Sequence, residues 1–266
     1  MSPGVIGLRA ARLSYADRVL WDGLDLEIRE GEFLAVLGPN GSGKTSLLRV
    51  LLGLQPLTSG TVLVDGRPPR RGSGLIGYVP QHKGAAPHTP LRARDLVRFG
   101  IDGHRWGPRP GGATVRRQVA AALDAVGAHD YADVPLSLLS GGEQQRVRIA
   151  QALATDPRVL LCDEPLLSLD PHHQRAVAEL IDRRRRSHGT AVVFVTHEIN
   201  PILHLADRVL YLTGGRFRIG TAEEVMTTAV LSDLYGTPIE VISVHGRLTV
   251  VGAADHTENL PGNPTS

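Results

Sequence analysis

Residues Gly38-Pro39-Asn40-Gly41-Ser42-Gly43-Lys44-Thr45 follow the pattern G-x-x-x-x-G-K-[ST], and their flanks give the pattern a mechanical meaning. Before them lies Phe33-Leu34-Ala35-Val36-Leu37, a short apolar run that reads as a buried strand. After them Leu47, Leu48, Leu51 and Leu52 recur at helical spacing and stop at Gly53, a residue suited to the C′ position. Strand, glycine-rich turn and helix together make an anion cradle. The glycines let the backbone curl so that its N–H groups point inward, and the helix adds the positive end of its dipole. Gly38 through Ser46 is thus the predicted phosphate-binding segment, with Lys44 reaching the β- and γ-phosphates of a nucleotide and the Thr45 hydroxyl ligating Mg²⁺. In a chain of this composition the motif should arise by chance on the order of three times in a thousand.

The composition fits a reason for that lysine. Of 29 Lys+Arg, 27 are arginine, and lysine occurs only at Lys44 and Lys83. A compact, flexible ammonium can reach between phosphates where the broad guanidinium fork fits poorly. A chain of 266 residues with 42% hydrophobic side chains can bury one large core or a core with a subdomain. Its net charge of +2 is too balanced for a dedicated nucleic-acid binder, so no nucleic-acid partner is expected. The single cysteine, Cys162, excludes an internal disulfide framework and a cysteine-built metal site. No apolar run approaches the length of a membrane span, and the first residues lack the charged and apolar regions of a signal peptide. These features predict a cytoplasmic chain.

Strands and helices alternate along most of the sequence, which predicts a largely parallel sheet covered on both faces. Val159-Leu160-Leu161-Cys162 and Ala191-Val192-Val193-Phe194-Val195 are further buried-strand candidates. Asp170 followed by Pro171 reads as a helix start, with Val177, Leu180 and Ile181 on one face and Gly189 past the end. Leu13, Tyr15, Leu24, Leu26 and Ile28 instead alternate with polar residues, as in antiparallel strands with one solvated face. Between about 87 and 155 the pattern is helical, broken by the glycine- and proline-rich loop 103–112. A helix near Ala222–Met226 and a strand pair within Ile239–Val251 are expected next, then a polar tail from 253 to 266 with too few apolar residues to fold.

Hydrolysis needs more than a phosphate cradle. It requires a carboxylate to hold metal and a group to orient water. Asp163 and Glu164 end the buried strand from Val159 and could supply both, although alone they are an ordinary acidic pair at a strand end. Leu139-Ser140-Gly141-Gly142-Glu143-Gln144-Gln145-Arg146 opens an amphipathic helix, with Ser140 and Glu143 spaced as a capping box. A helix start of this kind also serves as an anion site.

Taken together, these motifs resemble the nucleotide-binding subunit of ATP-binding cassette (ABC) transporters, from about Leu8 to Gly220 and in the family's order. The resemblance implies a P-loop NTPase core of α/β class with an antiparallel β subdomain and an inserted α-helical subdomain, and ATP and Mg²⁺ as cofactors. It further implies that Tyr15 stacks on adenine, that Gln81 is the Q-loop glutamine serving both the metal and catalysis, and that Asp163 holds the metal. Glu164 polarises water, Ser140, Gly141 and Gly142 belong to the signature sequence, Asp170 lies in the D-loop, and His197 is the switch histidine. Taken singly, Tyr15 reads better as a core aromatic, Gln81 as a solvated loop amide and His197 as a cap at a strand-to-helix junction. The family geometry pairs two cassettes head to tail, so the expected partners are a second copy of the chain, an integral membrane permease and, indirectly, a substrate-binding protein. Localisation follows as peripheral, on the inner face of the plasma membrane. The expected divisions are an ATPase domain over 1–235, a short extension over 236–252 and the tail.

The segments around Thr196–Pro201, Val209–Arg216 and Glu223–Gly236 look most like cassettes of zinc and manganese importers, which makes a divalent metal ion the expected cargo. Leu166-Leu167-Ser168 departs from the phenylalanine-rich form of that group. Two rivals are a soluble cassette ATPase of DNA repair or translation, and a sensor that binds ATP without hydrolysing it. The first usually carries a coiled-coil insertion or two cassettes, and the second need not keep Asp163, Glu164 and His197. His172-His173 reads as an exposed helix start rather than a metal site. Arg183-Arg184-Arg185-Arg186 reads as a solvated face complementing a helix dipole.

Overall fold

The computed structural model describes residues 4–81, 91–103 and 112–252. The polar tail, much of the loop 103–112, and His82 and Lys83 lie outside the described residues, as does the start of the helical segment at 87–90.

The chain opens with two long antiparallel strands, β1 (Ile6–Tyr15) and β2 (Arg18–Ile28), joined on the other side of β1 by β4 (Ser59–Val64). Between β2 and β4 run β3 (Phe33–Leu37), the glycine-rich loop and α1 (Lys44–Leu51). Gly53, at φ 67°, sits just beyond α1 as its sequence position predicts. β5 (Ile76–Val79) follows, and then α2 (Ala93–Asp102), α3 (Ala113–Ala125) and α4 (Gly141–Leu153) pack together on one side. β6 (Val159–Asp163), α5 (Pro171–His188), β7 (Ala191–Val195), β8 (Arg208–Thr213) and β9 (Arg216–Gly220) complete the main body. Two short helices, α6 (Ala222–Val225) and α7 (Thr228–Tyr235), lead to a ribbon of β10 (Glu240–Val244) and β11 (Arg247–Val251).

The main sheet has the order β5-β6-β7-β3-β8-β9, parallel except for β9, which returns antiparallel along β8. Its central strands are buried on both faces, which explains their unbroken apolar sequences. The period of two still sorts side chains. Phe33, Ala35, Leu160, Cys162, Val192 and Phe194 point into a core shared with α4, α5 and the helical segment. Leu34, Val36, Val159, Leu161 and Val193 point into a second core with α1 and the antiparallel sheet. The order also brings the C-terminal ends of β3, β6 and β7 side by side, and this edge is where a doubly covered sheet presents ligand-binding loops.

One expectation fails at the end of α5. Arg185 is buried, its guanidinium bonded to Asp182 at 2.9 Å, to Asp207 at 2.5 Å and to the Gly31 carbonyl at 3.3 Å. Arg184 pairs with Asp156. The arginine run is therefore split by helical rotation. Arg183 and Arg186 are exposed, while Arg185 ties α5 to the loops that enter β3 and β8.

Candidate active site

The loop after β3 is shaped by close approaches that only glycine allows. Gly38 has φ 137°, and a Cβ there would lie 2.0 Å from the Leu212 carbonyl oxygen. Gly43, at φ 101°, sits against the buried Trp21 indole. The loop therefore wraps tightly around Lys44, which is only 6% exposed. Its Nζ donates to the carbonyls of Gly38 at 2.6 Å and Pro39 at 3.0 Å. Burial holds this ammonium below the ordinary lysine value, while the Glu164 and Asp163 carboxylates act in the opposite direction. Ser42 Oγ is buried without a hydrogen-bond partner among the described residues.

Asp163 closes β6 directly beside α1. Its Oδ1 accepts from Thr45 Oγ1 at 3.3 Å, and its Oδ2 accepts from the Tyr78 hydroxyl at 3.4 Å. Burial pushes this carboxyl above the usual carboxylate range, outweighing the two hydroxyl bonds and Lys44. The Tyr78 phenol is pushed up to about 12, first by burial and then by Asp163. A buried carboxylate at 4% exposure, facing a threonine hydroxyl at a helix start, fits a hard divalent cation with oxygen ligands, as Mg²⁺ requires.

Glu164 follows in the left-handed region at φ 48°, a conformation that costs a non-glycine residue about 1–3 kcal/mol. Its N–H is bonded to the Val195 carbonyl on β7, which holds the strained residue in place. This kink turns Glu164 away from Asp163 and toward two loops. Its Oε2 accepts from Gln81 Nε2 at 3.0 Å and lies 3.8 Å from His197 Nδ1. Gln81 follows β5, Glu164 follows β6 and His197 follows β7, three neighbouring parallel strands.

A cleft of about 1470 Å³ runs past Lys44, Gln81, Glu164 and His197, while Ser42, Tyr78 and Asp163 stand behind its lining. Tyr15, 47% exposed at the end of β1, stands at its wall with its hydroxyl donating to Gln55 Oε1 at 2.5 Å. Lys44, Thr45, Ser46, Gln81, Glu164 and His197 line it as well. Ser140, Gly141, Gly142 and Asp170 do not. Ser140 caps α4 in the expected capping box, its Oγ accepting from the Glu143 N–H while Glu143 accepts from the Ser140 N–H. Asp170 caps α5 and bonds His173 Nδ1 at 2.5 Å. A Cβ on Gly142 would lie 2.5 Å from the His173 ring, so the two helix starts abut.

Two contributors are absent from the motif-based reading. Arg18, whose Nη2 donates to the Gly41 carbonyl at 2.9 Å, braces the phosphate loop from β2. Tyr78 supports Asp163 from the neighbouring strand. Arg18 belongs to no spaced motif, Tyr78 stands three residues before the Q-loop glutamine with no role assigned to it, and the in-register pairing of β5 with β6 is what turns Tyr78 toward Asp163.

Among the described residues no group of three or more His, Cys, Asp or Glu side chains could hold a metal ion, and no helix is long and apolar enough to cross a membrane. Residues 21–167, more than half of the chain, match the family model described as ABC transporter. A sulfate/thiosulfate import ATP-binding protein of Xanthomonas campestris pv. campestris is 35% identical, the alignment covering 94% of this chain and 75% of that protein. A hemin import ATP-binding protein of Streptomyces coelicolor is 37% identical, with 86% and 82% covered. Across these and similar relatives the chain spans 61 to 82% of their length. Among solved structures, a dimeric ATP-binding cassette in a post-hydrolysis state, bound to ADP and Pi, superposes with a TM-score of 0.68 at 29% identity, covering 81% of this chain and 98% of that one. The expected zinc or manganese type finds no support in these relatives, whose names carry sulfate and hemin. Sequence and fold agree on the broader class: the chain belongs to the ABC transporter family, as an ATP-binding, ATP-hydrolysing subunit.

Proposed function

We propose that this chain is the motor of an importer, pairing with a second copy of itself and driving uptake through a separate membrane permease. The observation that carries the catalytic assignment is the convergence on one carboxylate oxygen. Glu164 Oε2 receives Gln81 and faces His197 beside the Lys44 and Asp163 cluster.

In this reading the exposed Tyr15 ring stacks on adenine, and the amides of Gly38 to Ser46 hold the phosphates. Lys44 exchanges its carbonyl partners for β- and γ-phosphate oxygens, at little cost because both environments satisfy its donors. Thr45, Asp163 and Gln81 would hold Mg²⁺, which would supply neutralisation of the phosphate charge. Glu164 orients and polarises the attacking water, and the kinked backbone fixes its direction. His197 donates to the γ-phosphate. Ser140, Gly141 and Gly142 lie outside their own chain's cleft, which fits their acting on the nucleotide of a second copy, with Asp170 at the junction between the two. Residues 1–235 then form the cassette and 236–252 an extension packed on it.

Sulfate and hemin have no chemistry in common, so relatives this similar with such different cargoes fit a permease that sets the substrate. We carry a divalent metal forward as the first cargo to test, on the zinc- and manganese-importer likeness of residues 196–236. Reconstitution with metal-loaded substrate-binding proteins tests it, and stimulation by neither zinc nor manganese removes it.

Glu164→Gln tests the mechanism. The variant keeps its size and an acceptor for Gln81 but loses the charge that polarises water. ATP affinity should persist, phosphate release should fall about a hundredfold or more, and an ATP-bound dimer should accumulate in gel filtration. Phosphate release near the wild-type rate would refute the role given to Glu164.

A further inference from the structure

The C-terminal ribbon reaches the cleft. β10 and β11 are joined by His245 at φ 49° and Gly246 at φ 74°, the two left-handed residues of a type I′ turn. In such a hairpin Val244 and Arg247 exchange ladder bonds, so the next pair, Ser243 and Leu248, is not hydrogen-bonded. The N–H and C=O of Leu248 therefore point away from β10. The side-chain amide of Asn200 takes both, its Nδ2 donating to Leu248 O at 2.9 Å and its Oδ1 accepting from Leu248 N at 2.8 Å.

Asn200 stands three residues after His197 in a segment with little regular structure. Thr196 Oγ1 closes its start by donating to the Glu198 carbonyl and accepting from the Glu198 N–H, and Ile199 is buried. The ribbon has its own anchors, from Val241 N to Thr228 Oγ1 at 3.0 Å and from Ile239 N to Ser232 Oγ at 3.0 Å. Otherwise it is lightly held, with Val241 and Leu248 half-buried against the core and Ile242, Val244 and Val251 exposed. Leu248, Thr249 and Val250 line the same cleft as Glu164 and His197.

We propose that Asn200 is a positioning residue that clamps β11, so that the C-terminal ribbon braces the Thr196–Asn200 segment and sets the His197 imidazole against Glu164. The inference rests on the role given above to His197. It assigns the ribbon a function in turnover: releasing the clamp frees the histidine loop while leaving the phosphate cradle intact.

The test compares steady-state hydrolysis by the full chain carrying Asn200→Ala, Gly246→Val or both, with His197→Ala alongside and thermal unfolding confirming that each variant is folded. Gly246→Val breaks the turn two residues before Leu248, so it releases the clamp without altering Asn200 itself. Each single change should lower kcat about tenfold with KM for ATP changed by less than about twofold, because the lost bonds orient the transition state rather than bind nucleotide. The double variant should lose no more than the worse single one, as expected for two cuts in one linkage. Wild-type kcat in Asn200→Ala, or losses that multiply in the double variant, would overturn the inference while an inactive His197→Ala leaves the reading of the site standing. Wild-type turnover in His197→Ala would instead overturn that reading, and this inference with it.

Discussion

Adding one methyl group at three glycines should separate steric from conformational control of the phosphate loop. At Gly38 the new Cβ would lie 2.0 Å from Leu212 O, where ordinary contact begins at 3.4 Å, so the two groups must part by at least 1.4 Å. Leu212 cannot yield, because β8 is bonded on one side to β3 and on the other to β9. The loop must move, and φ 137° is itself unfavourable for alanine. Backbone strain of about 1–3 kcal/mol and a packing clash of similar size give roughly 2–6 kcal/mol. A loop displaced by an ångström also misplaces its amides, which can cost about a hundredfold in kcat/KM. Gly41 is left-handed too, at φ 76°, but its Cβ would meet only the tip of Arg18 at 3.2 Å. A flexible side chain can swing away, so Gly41→Ala should cost the left-handed term, about 1–2 kcal/mol, and at most the exposed Arg18 bond to the Gly41 carbonyl, about 0.5–1 kcal/mol. Gly74 is exposed, has no left-handed φ and nothing within 4 Å, so Gly74→Ala should be neutral or stabilising by up to about 1 kcal/mol. Urea unfolding without nucleotide and titration with a fluorescent ATP analogue read both effects. Equal losses at Gly38 and Gly41, or unaltered ATP binding in Gly38→Ala, would refute the claim that the Leu212 carbonyl dictates the shape of the loop.

Further predictions concern buried charge. The Asp163 carboxyl is raised in the fold, so the native state binds its proton more tightly than the unfolded chain does. Its burial costs nothing below the unfolded carboxylate value, and the cost grows as pH rises until the folded value is passed. Asp163→Asn should therefore raise the melting temperature of the nucleotide-free protein at neutral pH, with the gain disappearing in acid, while abolishing turnover; a lower melting temperature at neutral pH would refute this. Arg185→Met should destabilise by about 2–3 kcal/mol in urea, below the usual cost of breaking a buried pair because Arg186 remains on Asp182 at 2.8 Å. Arg183→Ala, on the exposed side of the same helix, should stay within about 0.5 kcal/mol of wild type, and equal effects at the two positions would return the run to a solvated face.

Much of this protein was legible locally. The strand, loop and helix around Lys44, the capping box at Ser140 and the Asp170–Pro171 start of α5 each depend on backbone groups a few residues apart, so sequence spacing alone specifies them. The double-sided burial of β3, β6 and β7 was equally readable, because a strand covered on both faces has no polar side. The tertiary structure decided whatever depends on distance along the chain. Strand order β5-β6-β7 carries Gln81, Glu164 and His197 from positions as much as 116 residues apart to one carboxylate oxygen. Helical rotation buries Arg185 and leaves Arg183 in solvent, although the sequence writes them alike. The bonds from β11 to the amide of Asn200, and the place of Leu248 to Val250 in the cleft wall, bring the C-terminal ribbon to the site, and neither is written in the sequence. Local spacing fixes which hydrogen bonds a segment can make with itself, but parallel strand order and register fix which segments meet, and no short stretch of sequence encodes those alone.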